Sequence, residues 1–213
     1  MSTEYETNPV KIERESFRQI RELVDLAAFD HQQQQVAMRV VHSLGRPEIA
    51  TSLRFSKGAC ASGIRALTGG GAILCDVEMV RAGITKRFIE SDPYCFLNDP
   101  RIIEMAKTSG ETRSMAAVSL WQPYLGGSVV LIGNAPTTLF RLLENFKSNP
   151  TRPALVIAMP VGFVGAVESK KLMWDCHREL GFECMTLLGR EGGSAVTSAS
   201  CNALLRIING EEY

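Results

Sequence analysis

Nowhere in these 213 residues does an apolar run approach the ~20 residues that a bilayer-spanning helix needs, so no membrane span is expected. Neither sign of charge is in excess: Lys plus Arg number 23, as do Asp plus Glu. No global field therefore draws in nucleic acid or an anionic membrane, and any affinity for an anion has to be built locally. The six cysteines (Cys60, Cys75, Cys95, Cys176, Cys184 and Cys201) form no Cys-x-x-Cys pair, and the three histidines are scattered. No metal site is expected, and the thiols read as reduced, mostly buried residues of a cytosolic protein. The opening Met1-Ser-Thr-Glu-Tyr-Glu-Thr-Asn8 has no apolar signal-peptide core, which again points to the cytoplasm. There is no Walker A loop, no Gly-x-Gly-x-x-Gly opening a helix after the first strand, and no Gly-x-Ser-x-Gly elbow. These absences argue against a nucleotide-binding protein and against a serine hydrolase.

What is present is one architectural unit, used three times. Ala154 to Ala158 is an uninterrupted apolar run, as expected of a strand covered on both faces. Pro160 ends it, Gly162 and Gly165 permit a loop whose backbone can approach a ligand, and a helix from about Ala166 carries Glu168 near its start. Val129 to Gly133 is a second such strand, followed by Asn134-Ala-Pro-Thr137 and a helix. Met185 to Leu188 is a third, followed by Gly189, Gly192, Gly193, Ser194 and an Ala/Ser-rich helix to about Ile208. Ala72 to Asp76 reads as a fourth strand and Lys86 to Ile89 as a minor fifth. The expectation is a three-layer α/β/α domain over residues 11–213, doubly wound around a mainly parallel five-stranded sheet, after a polar tail over residues 1–10. In such sheets ligands bind beyond the carboxyl ends of the strands, where the glycine loops would converge.

Several side chains stand where they can do chemistry. Ile12, Phe17, Ile20 and Val24 outline a first helix with Ser16 beside its stripe. A second helix runs from Gln33 to Leu44, with Arg39 and His42 three apart on one face. His42 falls in the last turn, where the dipole favours a protonated ring; it is either an acid/base group beside a carboxylate-holding Arg39 or a histidine that satisfies exposed carbonyls. Asp76 and Glu78 either act as catalytic carboxylates or, the better reading, cap the short helix Glu78 to Ala82. Thr112 is an N-cap that puts Arg113 in a first turn, where a cation is unfavourable against the dipole; it is either held by a carboxylate or ligand partner or a surface arginine. From the residues alone, the reading stops at a pocket for a sizeable organic ligand with acidic groups, with proton transfer by His42.

Longer phrases go further. Ile73-Leu-Cys-Asp-Val-Glu-Met-Val80, Thr112-Arg-Ser-Met-Ala-Ala117, Ile132-Gly-Asn-Ala-Pro-Thr137, Met159-Pro-Val-Gly-Phe-Val-Gly-Ala-Val-Glu-Ser-Lys170 and Gly192-Gly-Ser194 resemble precorrin-8X methylmutases, and the similarity runs from about Lys11 to Ile208. The resemblance implies a flavodoxin-like fold and a homodimer with no cofactor. It implies an isomerase that moves a methyl group from carbon 11 to carbon 12 of precorrin-8X, giving hydrogenobyrinic acid, or of the cobalt-containing equivalent. It places His42 as proton donor and acceptor. Ser16, Arg39, Thr85 and Arg113, with Asn134, Gly162, Gly165, Glu168, Gly193 and Ser194 of the loops, become substrate contacts. A catalytically silent tetrapyrrole-binding protein of the same family is the alternative. One departure is plain: Arg46 stands in the turn after His42, where an Asp is common in the family.

Overall fold

The computed structural model describes residues 5–213. Residues 1–4 of the expected tail lie outside the described residues, and the first helix, α1 (Pro9–Leu23), starts just before the expected domain limit. Asn8 caps it, with its side chain accepting from the N–H groups of Val10 and Lys11, and Pro9 supplies the preset φ of a first helical position. Helix α2 (His31–Leu44) opens on a reciprocal capping box between Asp30 and Gln33 and ends at Gly45 in the left-handed conformation.

The central sheet has five strands: β1 (Leu53–Phe55), β2 (Ile73–Cys75), β3 (Val129–Ile132), β4 (Leu155–Ala158) and β5 (Cys184–Leu187). They lie in the order β1-β5-β4-β3-β2, with β2 to β5 parallel and β1 antiparallel at the edge beside β5. The four parallel strands are those the apolar runs announced. The fifth is elsewhere than expected: Lys86–Phe88 forms a 3₁₀ turn, and the edge is β1. Tyr94 adds a single parallel bridge on the far side of β2, donating to Ile73 O and accepting from Cys75 N.

Helices cover both faces. Helices α8 (Pro136–Ser148) and α9 (Ala166–Leu180) pack Leu139, Leu142, Phe146 and Met173 against Val130, Ile132, Val156 and Cys184. On the other face α2, α3 (Ala59–Thr68) and α10 (Ser194–Ile208) pack Val36, Val40, Cys201 and Leu204 against Val129, Leu131, Ile157 and Met185. Full burial of an aliphatic chain is worth roughly 1.5–3 kcal/mol, so both faces hold the sheet. The segment between β2 and β3 contains α4 (Glu78–Ala82), α5 (Pro100–Ser109), α6 (Arg113–Ala117) and α7 (Gln122–Leu125). No described helix is long and apolar enough to cross a membrane.

Candidate active site

His42 lies in the last turn of α2 and opens onto a cleft of about 370 Å³. Arg39 and Ser43 of α2 form one wall, Met79 and Gly83 a second, and Ala195, Ser198, Ala199 and Asn202 of α10 the third. The periodicity of α2 explains why Arg39 and His42 arrive together: positions 36, 37, 40 and 41 are buried, which turns 39 and 42 outward. One flat side of the imidazole is covered, with the Phe17 ring of α1 at 5.1 Å and only 12° from coplanar. Glu13 of α1 sits 3.7 Å from Arg39. Burial first, then the Arg39 charge, lowers the pKa of His42 below its ordinary value, with Glu13 acting in the opposite sense. The helix dipole, which pointed to a protonated ring, does not win here.

The third wall connects the cleft to the strand-end edge, because α10 springs from the loop after β5. Met159 O accepts from Gly193 N at 2.8 Å, and Arg190 O accepts from Gly162 N at 3.1 Å, so the loops after β4 and β5 are stitched together. Only glycine fits at 192: its φ is +153°, and a Cβ there would come within 2.1 Å of Met159 O. Helices α9 and α10 begin at Gly165 and Gly193 with no side-chain cap. Their unpaired N–H groups and the positive ends of two long helices thus meet at one edge, an arrangement suited to carboxylates.

The start of α8 is different. Asp76 is fully buried and accepts from the N–H groups of Gly133, Asn134 and Ala135 at 3.1, 2.8 and 2.9 Å. The expectation that Asp76 caps its own following helix is corrected: Val77 is the residue at that position, and Asp76 caps the loop of the neighbouring strand. That bond crosses 57 residues, which local spacing cannot reveal.

The other expected contacts divide. Thr85 is held near the cleft by Asn202, whose Oδ1 accepts from Thr85 N at 2.9 Å while its Nδ2 donates to Gly83 O at 2.8 Å. Ser194 adjoins Gly133, where a Cβ would approach Ser194 Cα to 2.8 Å. Gly162, Gly165 and exposed Glu168 lie along the β4 edge, and exposed Asn134 along the β3 edge. Ser16 is not a cleft wall; it is half-buried on α1 and donates to Ile12 O at 2.8 Å. Arg113 is exposed and donates to Asn98 Oδ1 at 3.3 Å, apart from the cleft. Arg46 pairs with Glu48 and with Glu191 of the β5 loop, tying the end of α2 to that edge. Asn202 was not anticipated, although a lone Asn inside an apolar helix is a signal of a specific bond.

Known proteins share this architecture and its sequence. A sequence profile of precorrin-8X methylmutases matches residues 11–207. A precorrin-8X methylmutase of Pseudomonas aeruginosa is 43% identical over 195 residues, covering 91% of this chain and 93% of that protein. A cobalt-precorrin-8 methylmutase of Methanocaldococcus jannaschii is 33% identical, covering 86% of this chain and 84% of the relative. The crystal structure of precorrin-8X methylmutase from Thermus thermophilus superposes with a TM-score of 0.85 at 32% identity, over 95% of this chain and 98% of that one. The matched span takes in Arg39 and His42, all three glycine-rich loops and the whole sheet, and the chain belongs to the precorrin-8X methylmutase family.

Proposed function

We propose that this methylmutase, an isomerase of corrin-ring biosynthesis, moves the methyl group from carbon 11 to carbon 12 of precorrin-8X or its cobalt-bound form, with His42 giving and retrieving the proton. The observation that carries the reading is the placement of His42 and Arg39 in one cleft continuous, through α10, with the uncapped strand-end edge. The cleft volume of about 370 Å³ suits one margin of a tetrapyrrole, and the rest of the macrocycle lies over the glycine loops. Its acetate and propionate groups find Arg39 and the N–H groups at Gly165 and Ser194, while Gly193, whose own N–H is held by Met159 O, lets the ligand approach the backbone closely. Charge-assisted bonds of this kind contribute about 1.5–3 kcal/mol each and fix the ring against His42.

Chemically, protonation of the conjugated ring by His42 makes the receiving carbon electrophilic. The methyl group migrates with its bonding pair, and loss of a proton to the now neutral imidazole restores a neutral ring. Atoms and electrons balance within one substrate, so the scheme consumes no methyl donor and no reductant. His42 serves as both acid and base in turn, which suits a ring whose unperturbed pKa is about 6.5. Thr85, Asn134 and Gly162 extend the contact surface. Ser16, Arg113 and Glu168 belong to this reading only as contacts to the substrate's periphery. We assign one methylmutase domain to residues 11–213, and a homodimer in the cytoplasm as the working form.

The test is a visible spectrum of the purified protein with precorrin-8X, and in parallel with the cobalt form, followed over time for wild type and His42→Ala. Conversion by wild type alone supports the assignment. Conversion by both variants removes His42 from the chemistry, and tight binding without conversion of either substrate identifies a silent tetrapyrrole binder.

A further inference from the structure

Behind the cleft the polypeptide makes a second, unexpected use of its far end. After α10, Gly210 turns the chain at φ +70°, and Glu211 N donates back to Arg206 O at 2.9 Å. Each of the three residues that follow the turn is tied down. Glu211 meets Arg87 at 2.8 Å and Arg206 at 3.4 Å, and Glu212 meets His31 at 3.6 Å. Tyr213 is held twice through its backbone by the buried Gln35 side chain, which accepts from Tyr213 N at 2.8 Å and donates to Tyr213 O at 3.4 Å.

The Tyr213 ring then lies on Phe17, with centroids 3.5 Å apart and planes 12° apart, and Phe17 lies in turn on His42. Three rings form one stack of Tyr213, Phe17 and His42. The guanidinium of Arg39 hangs beside it, 5.7 Å from the Tyr213 centroid and 6.0 Å from that of Phe17, and Arg206 covers Tyr213 at 4.7 Å. Gln35, Arg39 and His42 are spaced four and three apart along one face of α2, so the helix holds the tail, the cation and the imidazole in register.

We propose that Tyr213 is a positioning residue for the methylmutase reaction, acting through Phe17 to fix the plane of the His42 imidazole. The proposal rests on the reading of His42 as the proton carrier. A proton can pass only when one ring nitrogen is aimed at the ring carbon that receives it, and small misplacements cost large factors in rate. Phe17 is buried in the core, but with the Tyr213 ring removed from its face the phenyl can still tilt. Clamped between Tyr213 and His42, it cannot. The same stack keeps water from one side of the imidazole. The charged groups that face His42 are Arg39 on its own helix and Glu13 on α1, the latter shared with Arg206 of α10 at 3.2 Å. The remaining cleft walls, Met79, Gly83, Ala195, Ser198, Ala199 and Asn202, bring no charge.

The experiment compares wild type, Tyr213→Ala and Tyr213→Phe by turnover and by NMR titration of the imidazole protons. With three histidines in the chain, His42→Asn identifies the resonance of interest. Tyr213→Ala is expected to lower kcat roughly ten- to hundredfold with a smaller change in KM. It should also move the His42 pKa up toward its ordinary value as water reaches the ring. Tyr213→Phe, which keeps the stack, should restore both. A folded Tyr213→Ala with wild-type kcat and an unmoved His42 titration overturns the proposal. If Tyr213→Ala does not fold, Gln35→Met, which removes only the two bonds to the tail, is read by the same criteria. The NMR arm needs no substrate, so a wild type without turnover would defeat the methylmutase mechanism while the titration still decides whether Tyr213 governs His42.

Discussion

Arg39 and His42 face one cleft a single turn apart on α2, and the guanidinium opposes protonation of the imidazole. An acid catalyst has to carry its proton, so this pair works against the first step until something neutralises Arg39. In the proposed complex a substrate carboxylate does so. Burial first and Arg39 second hold His42 of the free protein below its ordinary value of 6.5, and the complex should hold it higher. On the proposed mechanism the protonated form is the active one, so kcat/KM should fall as pH rises through a value below 6.5, while kcat should persist to higher pH. Profiles of the two parameters measured on one protein decide this. If their limbs coincide, no carboxylate of the substrate sits on Arg39.

Arg39→Met separates binding from proton affinity. Loss of one charge-assisted contact worth about 1.5–3 kcal/mol should raise KM roughly ten- to a hundredfold. In the free enzyme the same change removes a positive neighbour, so the His42 titration should move up. Steady-state kinetics and an NMR titration check the two effects independently. A raised KM with an unmoved His42 would mean that burial alone sets the imidazole.

Gly192 and Gly189 are both at positive φ, +153° and +97°, but only Gly192 is crowded. An added methyl at 189 meets nothing within 4 Å, whereas at 192 it runs into Met159 O. Gly189→Ala should then cost only conformational strain of about 1–2 kcal/mol. Gly192→Ala should cost more, and it should also weaken substrate binding by parting the loops that Gly193 N and Met159 O join. Thermal melts of both variants, with and without bound tetrapyrrole, make the comparison. Equal costs would show that the two loops are not locked together.

The four parallel strands were legible because their residues are apolar without interruption, which only a sheet covered on both faces requires. Strand β1 was not, since Leu53-Arg54-Phe55 is three residues long, half-buried and paired with a strand more than a hundred positions away. Phe88 and Ile89 imitated a strand locally while the chain closed a 3₁₀ turn. In the site, the shared face of Arg39 and His42 followed from helical spacing alone. What closes around them did not: Phe17, Asn202 and Tyr213 come from three distant segments, and no local pattern records their meeting.

Asp76 shows what such a distant bond is worth. Its carboxylate serves three backbone donors, two of them on buried residues. Asp76→Ala should destabilise the fold by about 3 kcal/mol or more, since buried donors are left unpaired. Asp76→Asn keeps the shape but offers one acceptor oxygen in place of two, and should cost less. Chemical denaturation of the two variants checks the ranking, and near-wild-type stability of Asp76→Ala would show that the loop finds other partners.

Lys170 carries the last prediction, and the sign of its effect is the reverse of an ordinary lysine's. It is fully buried on α9, donates to Glu191 O at 2.6 Å, and pairs with no carboxylate among the described residues. Burial pulls its pKa down from 10.5 to about 8. Above pH 8 the folded protein gives up that proton while the unfolded chain keeps it until about 10.4. The unfolded state then binds more protons, so stability rises with pH across this window and levels off above it. The fall from 10.5 to about 8 corresponds to a gain on the order of 3 kcal/mol, felt fully only at the upper end. Wild type and Lys170→Met, denatured at a series of pH values from 7 to about 10.5, should differ in slope rather than only in height: the methionine variant should lack this rising contribution. Parallel curves would mean that Lys170 stays charged in the fold, with a counter-charge reaching it from the glycine loops it supports.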